Sequence, residues 1–199
     1  MKTKPAKCVR PNPRGDWPQI DPTAYVDPTA QVIGLVQIGP RVFIGPNVVI
    51  RADELDTDGG IEPIVLEAKC NVQDGVIIHS LAGAAVRIGS RTSLAHGSIV
   101  HGPCSLGERS FVGFAATLFD VKAGNDVFIG MRAIVQDVDL PAETFVPPGL
   151  SVLCQEQAAE LSMIGPSERR FMENVIEVNL RLVEGYLRLE HTKRAAGCD

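Results

Sequence analysis

Aliphatic residues return at every sixth position along this chain. From Ile20 they fall at Val26, Val32, Ile38, Ile44 and Ile50, and four positions after each of the first five comes Ala24, Ala30, Val36, Val42 or Val48. The step resumes at Leu66, Val72 and Ile78, then runs from Ile88 through Leu94, Val100, Leu106 and Val112 to Leu118. After a slip of one residue it continues at Ala123, Ile129 and Val135. Six is not a helical period, and simple strand alternation does not place Gly or Asp-Pro at fixed steps. A repeat of this kind predicts short strands separated by tight turns, each strand turning one aliphatic side chain inward. Three such edges make a triangular coil of eighteen residues, and coils stack at roughly 4.8 Å, the ordinary interstrand spacing.

The pattern has two interruptions, "DELDTDGGIEPI" at 53–64 and "SLAGAA" at 80–85. Loops thrown out of a regular scaffold often border a functional site. After Val152 the repeat stops. Pro166 and Ser167 open a predicted helix to about Leu189, with Ser167 read as its N-cap. At 100° per residue, Met172, Val175, Ile176, Leu182, Val183 and Tyr186 lie within about 60° of Asn179, which centres an apolar stripe. Such a buried amide needs partners, so Asn179 either anchors the helix or faces a site. The resulting division is an N-terminal arm (1–19), a β-helix (20–152), a helical segment (153–190) and a tail (191–199).

Composition narrows the function classes. With 45% hydrophobic and 22% charged residues, the 199-residue chain can bury a core as one domain. A net charge of −5 offers no basic footprint for nucleic acid or an anionic membrane surface. The first residues, "MKTKPAKCVRPNPRGDWPQI", lack the apolar region of a signal peptide, and no run approaches the ~18 apolar residues of a membrane span. The expectation is a soluble, cytoplasmic protein. Five cysteines without a CxxC pair argue against a disulfide framework and a thiolate zinc site. Cys70 and Cys104 read as core residues, whereas Cys8 and Cys198 lie near the termini, where they could pair or react.

The histidines carry the candidate chemistry. His79 and His101 each follow an inward aliphatic residue, Ile78 and Val100, so they take the same position in their hexads. They are one coil apart once four residues of the 80–85 insertion are counted, which stacks them on one edge. Two nitrogens on one tetrahedral ion at 2.0–2.1 Å lie roughly 3.4 Å apart, within reach of adjacent coils. His96 occupies the third position on the preceding edge, and around one corner of a rigid prism it points away from the pair. Only another copy of the chain brings it to them. In a threefold oligomer the edge bearing His96 can face the edge bearing His79 and His101 of the next subunit. Three histidines with an open fourth position make a catalytic rather than a structural metal site. The remaining histidine, His191, shows no such relation and reads as solvated.

Several segments together resemble one family. "IRADE" (50–54), "NVQDGVIIH" (71–79), "HGSIVH" (96–101) and "VNLRLVEGY" (178–186) are similar to γ-class carbonic anhydrases. Within that class, "FVGFAATLFD" and "VQDVDLPAETFVPPGL" resemble the anhydrase domain of β-carboxysome scaffolds. The resemblance covers residues 20 to 190 and implies a left-handed hexapeptide β-helix with a C-terminal helix, although the general rule for crossovers favours the right hand. It further implies a lyase, a homotrimer that hydrates CO2 reversibly to bicarbonate with a metal-bound hydroxide at each subunit interface. His79 and His101 of one subunit and His96 of the next would bind Zn²⁺, or Fe²⁺ or Co²⁺. Gln73 matches the residue that orients the hydroxide, Asn179 one near the substrate, and Glu54 a carboxylate close to the metal. Arg51 and Asp53 match a salt bridge across the interface. The segment after the first histidine, "SLAGAAVR", has no carboxylate where archaeal members carry a proton-shuttling glutamate, so proton export falls to Glu54, another nearby group or buffer. No small-subunit-like repeat of the full-length scaffolds lies within these residues, and a carboxysome or Rubisco partner stays open. Two alternatives remain: a non-catalytic metal-binding assembly module of scaffold type, and a hexapeptide-repeat acyltransferase.

Overall fold

Three columns of stacked aliphatic side chains run through the computed structural model, which describes residues 8–195, and they are the three phases of the six-residue repeat. On the first face Val32, Ile50, Ile78, Val100, Leu118, Val135 and Val152 stand in parallel register. Ile20, Ile38, Leu66, Ile88, Leu106, Ala123 and Leu140 form the second column. The third holds Val26, Ile44, Val72, Leu94, Val112, Ile129 and Val146. Together they build a left-handed parallel β-helix of about seven turns. Both insertions and the one-residue slip leave the columns unbroken, because all three fall at the corner between the first and second faces: the insertions lengthen that corner, and the slip shortens it to five residues from Leu118 to Ala123. Ile44, Ile50, Ile78, Ile88 and Leu94 are fully buried, and each such side chain contributes about 1.5–3 kcal/mol.

The corners require backbone that most residues avoid. Arg41, Asn47, Lys69, Arg91, Arg109, Ala115, Asp126, Arg132 and Glu143 all adopt φ between 53° and 63°, and each lies three positions before an inward aliphatic residue. A side chain in this left-handed region costs about 1–2 kcal/mol. Stacking offsets the strain, since the amide of each such corner bonds to the coil before it. Lys69 donates to Pro40 O at 2.8 Å, Arg91 to Ala68 O at 3.0 Å and Arg109 to Ser90 O at 2.9 Å. At the first coil two Asp-Pro-Thr turns replace that carbonyl: Thr23 Oγ1 accepts the Arg41 amide and Thr29 Oγ1 the Asn47 amide, both at 3.0 Å.

Parallel pairing begins ahead of Ile20, where Val9–Arg10 pairs with Val32 and Ile33 on the first face. At the other end a short helix, Gln155–Ala159, follows the last parallel strand, Ser151–Val152, and leads to the terminal helix Pro166–Ala195. Ser167 is not the cap. Pro166 opens the helix, and Glu168 reaches back to accept the Gly165 amide at 3.0 Å and the Ser167 hydroxyl at 2.9 Å. A proline at the first helical position needs no amide partner, which moves the cap forward to Gly165. The helix lies on the outer side of the third face. Met172 packs with Ala95, Phe111 and Phe128, and Val183 with Tyr25 and Phe43. Cys70 and Cys104 are buried as expected, and burial pushes both thiols up to about 12. Cys8 is also buried, while Cys198 lies outside the described residues. Among the described residues no helix is long and apolar enough to cross a membrane.

Candidate metal centre

Just past the inward column of the first face, side chains turn outward, and there Arg51, His79, His101 and Phe119 stack coil upon coil. His79 Nδ1 and His101 Nε2 are 3.2 Å apart. That separation is close to the roughly 3.4 Å between two nitrogens on one tetrahedral ion. Below them Arg51 Nη2 reaches His79 Nε2 at 2.9 Å, and His101 Nδ1 lies 3.1 Å from Gly102 O. Arginine has no acceptor, so its N–H donates to Nε2. His79 then donates from Nδ1 to His101, which in turn donates to the Gly102 carbonyl. His79 is buried. Burial first, then the Arg51 guanidinium, holds its pKa below the ordinary imidazole value, against the opposing pull of Glu54. A neutral ring is the form that binds a metal.

The first insertion delivers two carboxylates to this pair. Glu54 Oε1 stands 3.3 Å and Asp53 Oδ1 3.7 Å from His79 Nε2. Arg51 Nη1 and Asp53 Oδ2 are 3.5 Å apart within the single chain, so the pair expected to bridge two subunits already meets inside one. Asp53 Oδ1 is buried with no hydrogen-bond donor among the described residues.

His96 sits elsewhere. It occupies the corner between the third and first faces, where stacked turns place Asp74 on one side and Phe114 on the other. Its Nδ1 is 3.3 Å from Asp74 Oδ2, and its ring stacks on Phe114 with centroids 5.4 Å apart. Gln73 shares this corner, its backbone N–H donating to Leu94 O at 2.9 Å. Two half-sites result: Arg51, Asp53, Glu54, His79 and His101 on one edge, Gln73 and His96 on another. Among the described residues no group of three or more His, Cys, Asp or Glu side chains in one chain is placed to hold a metal ion. Within a single chain, His79 and His101 are the two imidazoles that face each other at a separation suited to one tetrahedral ion, and His96 is not with them.

Asn179 is brought to neither group within the chain. It is buried against the third face and donates to Val175 O at 2.8 Å, a carbonyl of its own helix. Three residues went unread in the sequence. Asn71, two positions before Gln73, is buried; its Nδ2 donates to Ser93 Oγ at 3.3 Å and its Oδ1 has no partner among the described residues. Phe114 and Phe119 follow His96 and His101 by one coil each, a signal that the eighteen-residue step already contained.

No protein-family model matches the chain. The carbonic anhydrase of Methanosarcina thermophila is 37% identical over 205 residues, covering 89% of this chain and 81% of that protein. The chain belongs to the γ-class carbonic anhydrase family. Carboxysome assembly protein CcmM is also similar, 37% identical in both Nostoc sp. and Synechococcus elongatus, over 69% and 80% of this chain. Only 26% and 30% of those longer proteins are matched, so the chain spans less than a third of their length. Among solved structures, one described as a putative acetyltransferase of Bacillus cereus superposes with a TM-score of 0.75 over 91% of this chain and 97% of its own. At 20% identity that likeness concerns the fold. Within the γ-class family, both half-sites belong to the segments that carried the resemblance, "IRADE", "NVQDGVIIH" and "HGSIVH".

Proposed function

We propose that this protein hydrates CO2 reversibly to bicarbonate at the subunit interfaces of a homotrimer. His79 and His101 of one copy and His96 of the next would hold Zn²⁺, or Fe²⁺ or Co²⁺. The observation that carries this reading is the 3.2 Å approach of two imidazole nitrogens on one edge, with the third histidine on the adjoining corner. A divalent ion bound there would lower the pKa of a water ligand to about 7 and so supply the nucleophile for CO2. The rest falls to the chain. Burial and Arg51 keep His79 neutral, and the Nδ1 hydrogen that it donates to His101 would give way to an ion, the ring then carrying its proton at Nε2 beside Glu54. Glu54, 42% exposed beside His79 Nε2, connects the site to solvent and can take a proton outward. Gln73, on the corner with His96, presents an amide that can donate to or accept from the attacking oxygen. The unpartnered Oδ1 of Asp53 is suited to a cationic group from the second copy.

Mixed trimers test the reading. His96→Ala and His101→Ala chains are each inactive alone, yet an interface with the pair from the first and His96 from the second is intact. Random mixing of equal amounts restores about a quarter of the sites in a cyclic trimer. Recovery near that level in a CO2-hydration assay supports a shared centre. Its absence from verified mixed trimers, or a fully metallated wild type without hydration or isotope exchange, refutes the proposal.

A second reading has its own support: the carboxysome assembly relatives match this chain as one part of longer proteins. In that reading the trimer and metal persist as an assembly module without turnover, an outcome the same assay distinguishes. An acyltransferase would instead bind coenzyme A, and a titration with it decides that case.

A further inference from the structure

Asp53 and Glu54 have few contacts of their own to hold them beside His79. Glu54 is 42% exposed and meets His79 at 3.3 Å. Asp53 Oδ1 is buried with no donor among the described residues, and its Oδ2 lies 3.5 Å from Arg51. Their placement therefore depends on the backbone that leaves the strand Val49–Ala52. Pairing with the following coil stops at Arg51, opposite His79, whereas pairing with the preceding coil runs on to Ala52, opposite Gly34. Past Arg51 the strand is supported from one side.

Asn12 stands on that side. It belongs to the N-terminal arm, is buried, and lies ahead of the six-residue repeat. Its Nδ2 donates to Ala52 O at 3.2 Å and to Asp16 Oδ2 at 3.1 Å. Its Oδ1 accepts the amides of Arg14 and Asp16, both at 3.0 Å. Two hydrogens and two lone pairs are thereby used, the full capacity of a side-chain amide. The Oδ1 contacts wind residues 12–16 into a turn, as asparagine commonly does. The Nδ2 contact does something else. It reaches across to the carbonyl immediately before Asp53.

Gly34 makes room for this contact. A Cβ there would collide with Ala52 O and lie 2.9 Å from Asn12 Cβ, and the glycine takes φ of 82°, which other residues avoid. Leu35 adds a second donor to the same carbonyl, at 3.3 Å. A peptide unit is planar, so donors that fix the direction of Ala52 O also fix the Asp53 amide, and with it the heading of the chain into the first insertion. We propose that Asn12 is a positioning residue for the His79 half-site: by clamping the Ala52–Asp53 peptide it aims the two carboxylates at His79. Arg51 still tethers Asp53 when the clamp is lost, so the loss falls mainly on Glu54. Asn12 acts through that peptide and not on a reacting atom. The inference rests on the reading of Glu54 as the proton route, and it gives the N-terminal arm a part in the reaction.

Three variants test it. Asn12→Ala removes the clamp and the turn contacts together, whereas ionised Asn12→Asp keeps both acceptor contacts and loses the donors. Asp16→Ala is the control, since it removes the other acceptor of Nδ2 and leaves the bond to Ala52. Proton removal follows the departure of bicarbonate, so in weak buffer it governs kcat and is absent from kcat/KM. Both Asn12 variants should lower kcat about tenfold in weak buffer, leave kcat/KM unchanged and recover with added imidazole. Hydrogen exchange in the metal-free chain is the readout independent of turnover. Amides of residues 51–64 should exchange about fivefold faster in the Asn12 variants, the effect of one hydrogen bond, and those of 71–101 at the wild-type rate. Asp16→Ala should match the wild type in both measurements. Unchanged exchange at 51–64, a kcat that stays level despite faster exchange, a kcat/KM that falls with kcat, or a control that behaves like the Asn12 variants overturns the proposal. Faster exchange at 51–64 alone, from a wild type that hydrates no CO2, upholds the clamp and removes the reaction.

Discussion

The two histidine-bearing regions are built in opposite ways. The His79 side chain is 11% exposed and held by Arg51, Glu54 and His101, whereas the His96 side chain is 53% exposed and meets one carboxylate that is itself 54% exposed. One half is organised before anything binds. The other is a single imidazole on a rigid corner, oriented by Phe114 and Asp74 and open to whatever approaches. The difference shows how the proposed shared centre could be assembled without a costly rearrangement. The desolvation of His79 is met when one chain folds, and a second chain would contribute a ligand already aimed by its backbone.

Substitutions can break that contrast, and the largest effect comes first. His79→Ala and His96→Ala should each lower hydration by more than the 10–100-fold typical of residues that only support a ligand. Only His79→Ala should also shift the melting temperature of the metal-free chain, because His96 leaves no buried partner behind. Equal thermal shifts would erase the distinction between the halves. Glu54→Gln should slow hydration about a hundredfold in weak buffer, within the range of a lost proton-transfer group, and added imidazole should rescue it. Failure of rescue would place Glu54 outside the proton path. Arg51→Met removes the second-largest influence lowering the His79 pKa and its donor at Nε2. Metal affinity measured by competition with a chelator should fall about tenfold.

Charge pairs remote from both halves supply the smallest effects. Arg91→Ala breaks a half-exposed pair with Glu177 and should cost less than about 1 kcal/mol in urea unfolding, with hydration unchanged. On the second face, burial works upward on the Glu67 carboxyl, but hydrogen bonds from Arg87 and Ser90 outweigh it and hold the pKa below the ordinary carboxylate value. The stability this contributes is present above the ordinary value near 4.5 and is lost as pH falls through the lower folded value. Glu67→Gln should flatten the melting temperature across that acidic window and leave both half-sites untouched.

The architecture was readable because its rule is local and repeated. One aliphatic residue in six turns inward whatever lies far away in sequence, so the three columns and the stacking of His79 on His101 follow from counting. Ser167 misled because Ser commonly caps helices, while the proline before it had already opened this one. The corner conformations were hidden for another reason. Arg41, Lys69, Arg91 and Arg109 are residues that avoid positive φ in isolation, and only a coil on either side makes the strained turn the better choice.

By itself the sequence determined the prism, its register, the edge that each histidine occupies and the burial of Asn179. Tertiary structure decided which polar atoms meet: Arg51 against His79, Asp53 with one unmet oxygen, and Asn179 turned to its own helix rather than to the pair. It also decided that one helix flank is closed by ion pairs and the other left apolar and open. The physical reason is range. A repeat specifies Cα positions through short, additive preferences, whereas side-chain contacts depend on rotamers and on neighbours a coil or an insertion away, which no local pattern encodes.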